Sequence, residues 1–196
     1  MTPGVTERPL SSDPDRHLPP DADLPEQVEW SGKFVTARRR GRWEYASRAR
    51  GIHAAVILAV DAGEVILVEQ YRVPAARWCL ELPAGLIGDE AEGEQALESA
   101  IRELEEETGY IAAHWEVLGE FFASPGMLSE SFTLVKATGL TQVGDGGGTD
   151  SEEIIVHRVP LSRVADVVAE HRAMGHGIDV KLLLLLGANY LEDASQ

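Results

Sequence analysis

The sequence holds a single cysteine, Cys79, among its 196 residues. One cysteine cannot form an intrachain disulfide, so a disulfide-stabilised scaffold is excluded and a reducing, cytoplasmic compartment is expected. Cys79 lies in the β-rich run 77–82, where a buried structural thiol is expected more often than a nucleophile.

Long apolar runs and basic residues are also scarce. The leucine run at 182–186 is far shorter than the roughly 20 residues that a membrane-spanning helix needs, and residues 1–25 lack the apolar segment of a signal peptide. Lysine and arginine number 17 against 33 for aspartate and glutamate, so the net charge is −16. We therefore expect neither nucleic acid nor a membrane surface as a partner, because both are anionic.

Three regions differ in composition. Residues 1–27 are rich in proline and acidic side chains, which predicts a disordered N-terminal tail. Residues 28–50 hold two β-rich pieces around the basic run 38–42, which predicts a small N-terminal β-hairpin region. Residues 51–196 are expected to form one main domain. Its mixture of strands with helices favours an α/β sandwich.

Local patterns predict the elements of the main domain. Strands are expected at 53–60, 65–69, 78–82, 116–122, 132–137 and 154–159. Helices are expected at 94–108, 161–171 and 178–191. Gly109 suits the left-handed residue that ends the first of these helices, and the glycine-rich run 144–150 predicts a flexible loop.

Acidic side chains concentrate between residues 81 and 107, where Arg102 is the one basic residue. Glu103, Glu106 and Glu107 are three or four positions apart, so a helix places their carboxylates on one side. Two like charges 4 Å apart repel by about 4 kcal/mol at an effective dielectric of 20. Such a cluster therefore holds protons or binds hard cations such as Mg²⁺ or Mn²⁺. Charge alone leaves a solvated acidic helix face as the alternative, and the six histidines show no recognised zinc spacing.

The order of residues between 88 and 110 is more specific than their charge. Gly88, Glu94 and the run RELEEETGY at 102–110 fit the pattern G-x5-E-x7-R-E-U-x-E-E-x-G-U, in which U is bulky and apolar or aromatic. This pattern resembles the signature box of the Nudix hydrolases. The resemblance implies a Nudix-type α/β/α sandwich with a mixed sheet, and metal-assisted hydrolysis of a nucleoside diphosphate linked to another group. Relative to the family's usual spacing, three extra residues stand between Gly85 and Glu94.

Flanking segments resemble the ADP-ribose pyrophosphatase branch of that family. These are QYR at 70–72, ELPAGLI at 81–87 and SPG at 124–126, with Pro125 sixteen residues after Gly109. The resemblance implies hydrolysis of ADP-ribose, or a related nucleoside diphosphate sugar, to AMP and ribose 5-phosphate. Alternatives are another substrate such as a GDP-hexose, or a module that binds ADP-ribose without cleaving it. Such sensors usually carry a DNA-binding domain, for which this chain leaves little room, so an enzyme is expected.

The same resemblance assigns the site residues. Glu103, Glu107 and the Ala84 carbonyl would hold Mg²⁺ or Mn²⁺, with Glu106 as a further ligand or helper and Arg102 orienting the carboxylates. The general base would follow the glycine-rich loop, and the candidates are Glu152 (also a metal ligand), Glu153 and, more weakly, Asp150.

Substrate contacts would come from both sides of the box. The candidates are Phe34, Trp43, Glu44, Arg48, Arg72, Leu86, Ser124, Pro125, Gly126 and Glu130. Phe34 and Trp43 would stack on adenine or else lie in the core, and Arg48 and Arg72 suit bidentate phosphate contacts. The branch often builds this adenine site across a homodimer with exchanged N-terminal strands, so a homodimer is expected here.

Overall fold

The structure, a computed structural model, describes residues 17–49, 52–87, 95–148 and 153–183. Four residues that the sequence analysis singled out lie outside these ranges: Gly88, Glu94, Asp150 and Glu152. Within the described ranges, no helix is both long enough and apolar enough to span a membrane.

A three-stranded antiparallel sheet forms the N-terminal region. Its strands are β1 (Gln27–Ser31), β2 (Val35–Arg40) and β3 (Trp43–Arg48). The predicted hairpin corresponds to β2 and β3, and β1 adds a strand that the sequence analysis did not predict. Before β1, Asp21 is buried and accepts a hydrogen bond of 2.9 Å from Arg42 Nε. This pairing attaches the end of the predicted tail to the hairpin turn.

The second sheet has eight strands. They are β4 (His53–Asp61), β5 (Glu64–Arg72), β6 (Arg77–Glu81), β7 (Ala84–Ile87), β8 (Tyr110–Phe122), β9 (Ser131–Gln142), β10 (Ile154–Pro160) and β11 (Gly177–Ile178). The main path runs β11-β6-β5-β4-β9-β8, with β10 paired to β5 and β7 paired to β4. The β4–β9 and β11–β6 pairs are parallel and the others antiparallel, which confirms the expected mixed sheet.

One helix covers each face of this sheet: α1 (Ala96–Thr108) and α2 (Val164–Ala173). Successive side chains of a strand point to opposite faces, and β4 follows this rule: Ile57 packs in the cluster that contains Leu104 of α1, whereas Leu58 packs in the cluster that contains Val168 of α2. The two apolar clusters are therefore separate layers, and the expected α/β/α sandwich is confirmed.

The predicted helix over 178–191 is wrong at its start. Ile178 instead ends β11, which pairs in parallel with β6, and Val180–Leu183 forms a 3-10 turn. Asp179 marks the start of this turn, because its side-chain Oδ1 accepts a hydrogen bond of 2.8 Å from Lys181 N, as an N-cap residue does. Residues 184–191 lie outside the described ranges.

Two other elements are longer than expected. The strands predicted at 116–122 and 132–137 belong to β8 and β9, which pair with each other from Tyr110 to Gln142. In β9 the predicted residues are mostly buried and the added residues 138–142 are more exposed, so the apolar run marked only the buried part of that strand.

The C-terminal end of α1 is held by two glycine segments. Gly109 has φ = 72°, the left-handed conformation, and its N–H donates to Glu105 O at 2.8 Å. The amides of Gly147 and Gly148 donate to the carbonyls of Glu107 and Glu106 at 2.9 and 3.1 Å. These bonds satisfy carbonyls that the end of a helix otherwise leaves without partners. The part of the loop predicted to be flexible that the structure describes is thus bonded to α1.

We expect Gly109→Ala to destabilise the protein more than Gly63→Ala. Both glycines have positive φ, a conformation that is unfavourable for alanine. Either substitution should therefore lower the free energy of unfolding by about 1–2 kcal/mol. A Cβ at Gly109 would also overlap the Gly144 carbonyl, whereas Gly63 faces open space. Urea unfolding measures the difference, and equal losses would show that the contact between Gly109 and the loop is not tight.

Candidate functional site

A cleft of about 460 Å³ opens beside the C-terminal half of α1. Its walls come from α1, β7, β5, β3 and the segment 123–132. The predicted site residues that line it are Arg48, Arg72, Ala84, Leu86, Arg102, Glu103, Glu106, Glu107 and Glu130. The structure therefore brings four of the predicted metal ligands, all but Glu152, to one place with the predicted phosphate-binding arginines.

Two carboxylates of α1 are fixed by the start of β7. Glu107 is buried, and its Oε2 accepts a hydrogen bond of 3.0 Å from Ala84 N. Gly85 lies so close to Glu103 that a Cβ on this glycine would overlap the Glu103 side chain. The Ala84–Gly85 backbone thus acts as a template against which both carboxylates are packed.

Arg102 contacts the carboxylates of both Glu103 and Glu106. Its Nη1 lies 2.9 Å from Glu103 Oε1 and 3.1 Å from Glu106 Oε2. Glu106 is the more exposed of the two acids, at 42 % of its side chain against 16 % for Glu103. Arg102 is therefore placed to orient these two side chains, as the resemblance implied.

The donor set of this cleft fits a hard divalent cation. Three carboxylates from one side of α1 line the cleft, and one arginine offsets part of their charge. Oxygen donors in excess of neighbouring positive charge are what Mg²⁺ and Mn²⁺ bind in proteins. Glu103, Glu106, Glu107 and the Ala84 carbonyl are the groups that could hold such an ion.

Arg72 reaches the cleft in a bidentate pair with a residue that the sequence analysis did not place in the site. Its Nε and Nη2 donate to the two carboxylate oxygens of Glu81 at 2.6 and 3.0 Å. Glu81 is buried, and its hydrogen bond raises the pKa of Arg72. An acid next to buried apolar residues of a strand needs a charged partner, and this is the signal by which Glu81 could have been found.

Gln70 and Lys181 also line the cleft without having been predicted. Gln70 was missed because it carries no charge, and Lys181 was missed because its segment was predicted to be a helix.

Cys79, by contrast, is buried away from the cleft lining, and burial raises the pKa of its thiol. The expected burial of this thiol is confirmed.

The opposite wall of the cleft belongs partly to the N-terminal sheet. Arg48 of β3 forms an ion pair with Glu130. Nearby, Ala46 N donates to Met127 O and Ser129 N donates to Ala46 O, both at 3.0 Å. These backbone bonds join β3 to the 124–129 turn, so the N-terminal sheet is part of the site.

A second cavity of about 350 Å³ adjoins the cleft and shares Leu128 with it. Trp43, Pro125 and Gly126 line this cavity, together with Tyr45. Ser124 accepts the backbone hydrogen bonds of the turn, from Met127 N at 3.0 Å and Leu128 N at 2.9 Å.

The two aromatic candidates are separated. Trp43 borders the second cavity, whereas Phe34 and Glu44 line neither cavity. Phe34 instead lies under Lys33, whose Nζ is 4.8 Å from its ring centroid. Both aromatic side chains are more than half exposed, at 57 % and 52 %, so the alternative that they lie in the core is wrong.

Of the two glutamates proposed as general base, the structure describes Glu153. It is exposed and stands directly before β10, at the end of the glycine-rich loop. Glu153 does not line the cleft, and Glu152 lies outside the described residues. The assignment of the general base to one of these two glutamates therefore stays open, and the role itself stays a prediction.

Comparisons with known proteins agree with this geometry. The sequence model of the NUDIX domain matches residues 49–176. A methanol dehydrogenase activator of Bacillus methanolicus is 39 % identical over 101 residues, which cover 52 % of this chain and 53 % of that protein. An ADP-ribose pyrophosphatase of Bacillus subtilis (strain 168) is 36 % identical over 101 residues, with the same coverage. The chain thus spans about half the length of the curated relatives it matches.

A solved structure shares the fold. The crystal structure of an ADP compounds hydrolase superposes with a TM-score of 0.62, at 23 % identity, over 83 % of this chain and 90 % of the other. At this level of identity the likeness concerns the architecture, and it agrees with the α/β/α sandwich.

We expect Gly85→Ala to weaken Mn²⁺ binding by about 10–100-fold, because the new methyl group displaces the Glu103 carboxylate. Electron paramagnetic resonance of Mn²⁺ titrations measures the affinity. Gly63→Ala, far from the cleft lining, is the control. Unchanged affinity in Gly85→Ala would show that Glu103 is not a ligand.

Proposed function

Because the chain belongs to the NUDIX domain family and matches relatives of its ADP-ribose pyrophosphatase branch, we propose that it hydrolyses ADP-ribose or a related nucleoside diphosphate sugar. The products would be AMP and ribose 5-phosphate, and the cofactor Mg²⁺ or Mn²⁺. The observation that supports this most is the single cleft that joins the carboxylates of α1 to arginines from β3 and β5. Diphosphate chemistry needs both kinds of group.

The reaction adds water to one phosphorus and breaks the bond from that phosphorus to the bridging oxygen. Its catalysis rests on positioning and on neutralising charge at the phosphate oxygens. A divalent ion bound at Glu103 and Glu107 would supply positive charge to the diphosphate and lower the pKa of a bound water. Arg48 and Arg72 would hold the diphosphate, each oriented by a carboxylate partner, Glu130 and Glu81.

A base must remove a proton from the attacking water. Glu152 and Glu153 are the proposed candidates, because both follow the loop whose amides bond the carbonyls of Glu106 and Glu107. That loop follows β9 and passes the end of α1 that carries the proposed metal ligands. A modest rotation about its glycines would bring a following carboxylate towards the cleft.

The nucleoside would occupy the second cavity. Its lining is largely apolar and includes Trp43, whose indole ring suits stacking on a base. Leu86, Glu130 and the 124–126 turn would line the ribose end. Phe34 and Glu44 line neither cavity of this chain, so in the proposed homodimer they would contribute through the partner's site.

The N-terminal sheet supports the homodimer proposal. Its large exposed apolar side chains are Val28, Trp30, Phe34, Val35 and Trp43, each at least 44 % exposed. Exposed apolar side chains of this kind mark interaction surfaces.

The proposed compartment is the cytoplasm, because a chain with the single cysteine Cys79 is compatible with a reducing environment.

Replacing Glu107 by glutamine is expected to reduce turnover of ADP-ribose by at least about 100-fold, because it removes a charge that acts on the transition state. Glu105→Gln is the matched control, since Glu105 is the exposed neighbour on the same helix and does not line the cleft. The measurement is AMP release with Mg²⁺ or Mn²⁺. Full activity of Glu107→Gln would exclude the proposed metal site.

A substrate panel separates the alternatives. It contains ADP-ribose, GDP-hexoses, other nucleoside diphosphate sugars, NADH and diadenosine polyphosphates. Faster cleavage of a GDP-hexose would move the proposal to that substrate. Binding of ADP-ribose without AMP release would support a sensor instead of an enzyme.

Trp30→Glu is expected to shift the chain from dimer to monomer, because it places a charge among the exposed apolar side chains of the N-terminal sheet. Light scattering coupled to gel filtration measures the mass. Val73→Glu is the control, since Val73 is 78 % exposed in a 3-10 turn outside that sheet. A monomeric wild-type protein would contradict the dimer proposal and its shared adenine site.

A further inference from the structure

Four metal-ligating side chains meet on the α2 side of the main sheet. Glu69 comes from β5, His157 from β10, His171 from α2, and His176 from the turn before β11. Glu69 is followed in β5 by Gln70, which lines the cleft, so successive residues of one strand serve opposite faces. The cluster is therefore separate from the carboxylates of α1.

Three of the potential ligand atoms lie close together. Single atoms of Glu69, His171 and His176 all lie within 4.8 Å of one another. His171 Nδ1 is 3.2 Å from His176 Nδ1, and these nitrogens are 3.8 and 3.4 Å from Glu69 oxygens. Ligands bound about 2.0–2.1 Å from a tetrahedral Zn²⁺ stand roughly 3.3 Å apart. The observed separations bracket that value.

Burial makes this arrangement unusual for an acid. Glu69 is 8 % exposed and His171 is 7 % exposed. Within the described part of the chain, the ion-pair partners of Glu69 are the three histidines, which carry positive charge only when protonated. Burial lowers the pKa of His171 and so favours its neutral ring. A buried carboxylate whose ion-pair partners are histidines has no permanently charged partner among the described residues, and a bound cation would supply one.

The local backbone also prepares the site. His176 N donates to His171 O at 3.0 Å, which folds the chain back just after α2 and turns the two imidazoles towards each other. His157 Nε2 lies 3.0 Å from Glu69 Oε2 and so holds the carboxylate from the neighbouring strand. Outer groups of this kind fix the orientation of a metal's ligands.

We propose that Glu69, His171 and His176 bind a divalent cation with imidazole preference, Zn²⁺ foremost, with His157 positioning the Glu69 carboxylate. Two nitrogens and one oxygen are a usual protein ligand set for Zn²⁺, whereas Mg²⁺ prefers oxygen alone. The ion would link β5 to the end of α2 and to the turn before β11. Sequence spacing alone does not reveal this site, because Glu69 lies in β5, far along the chain from His171 and His176.

The test uses the full chain after EDTA treatment and dialysis, with Zn²⁺ alone as the ligand. We expect one high-affinity Zn²⁺ per chain and a rise in Tm when it binds. His176→Ala should abolish both effects, and His157→Ala should weaken binding by about 10–100-fold. The exposed His114→Ala should bind as the wild type does. X-ray absorption should show nitrogen ligands 2.0–2.1 Å from the metal.

A double variant, Glu103→Gln with Glu107→Gln, separates this site from the cleft. It should keep the high-affinity Zn²⁺, since those residues lie on α1. Loss of Zn²⁺ in this variant but not in His176→Ala would overturn the proposal, as would a wild-type chain that binds no Zn²⁺. Circular dichroism tests whether His176→Ala is folded. If this variant is unfolded, His176→Gln is used in its place, because the glutamine side chain fills more of the half-buried position in the turn.

Discussion

The site depends on how closely the end of α1 packs against two pieces of glycine-containing backbone. On one side, Ala84 N bonds to Glu107 and Gly85 leaves just enough room for Glu103. On the other, the glycine-rich loop bonds the last carbonyls of the helix. Leu104, fully buried between these carboxylates, anchors the same turn in the core. The position of the helix, the orientation of its carboxylates and the course of the loop therefore all depend on the same packing.

The main sheet turns this local constraint into two chemically distinct faces. Because side chains alternate along β5, Gln70 and Arg72 face the cleft while Glu69 faces α2. Each face combines apolar packing near the middle of the strands with polar groups at their ends. A buried strand can carry a charged residue only where it finds a partner. Glu81 pairs with Arg72, whereas the partners of Glu69 are histidines, which are charged only when protonated.

The sequence was informative where chemistry is local. The spacing of Glu103 and Glu107 and the cap at Gly109 both follow from one helix, and the structure agrees with them. It was uninformative where partners are distant: the pairing of Arg72 with Glu81, and the convergence on Glu69, depend on strand register. The start of the helix predicted at 178–191 was wrong. Its leucines are strong helix formers, but Ile178 pairs with β6 in β11 and Asp179 caps a 3-10 turn.

Charge balance connects the acidic sequence to an anionic substrate. The three arginines of the cleft, Arg48, Arg72 and Arg102, each contact at least one carboxylate. The cleft of a chain with a net charge of −16 therefore offers little positive charge for a diphosphate until more is brought in. On the proposed function, a divalent cation at the α1 carboxylates brings that charge and reverses the local sign. Cation and substrate should accordingly bind with positive coupling, and linkage requires that each strengthens the other by the same factor.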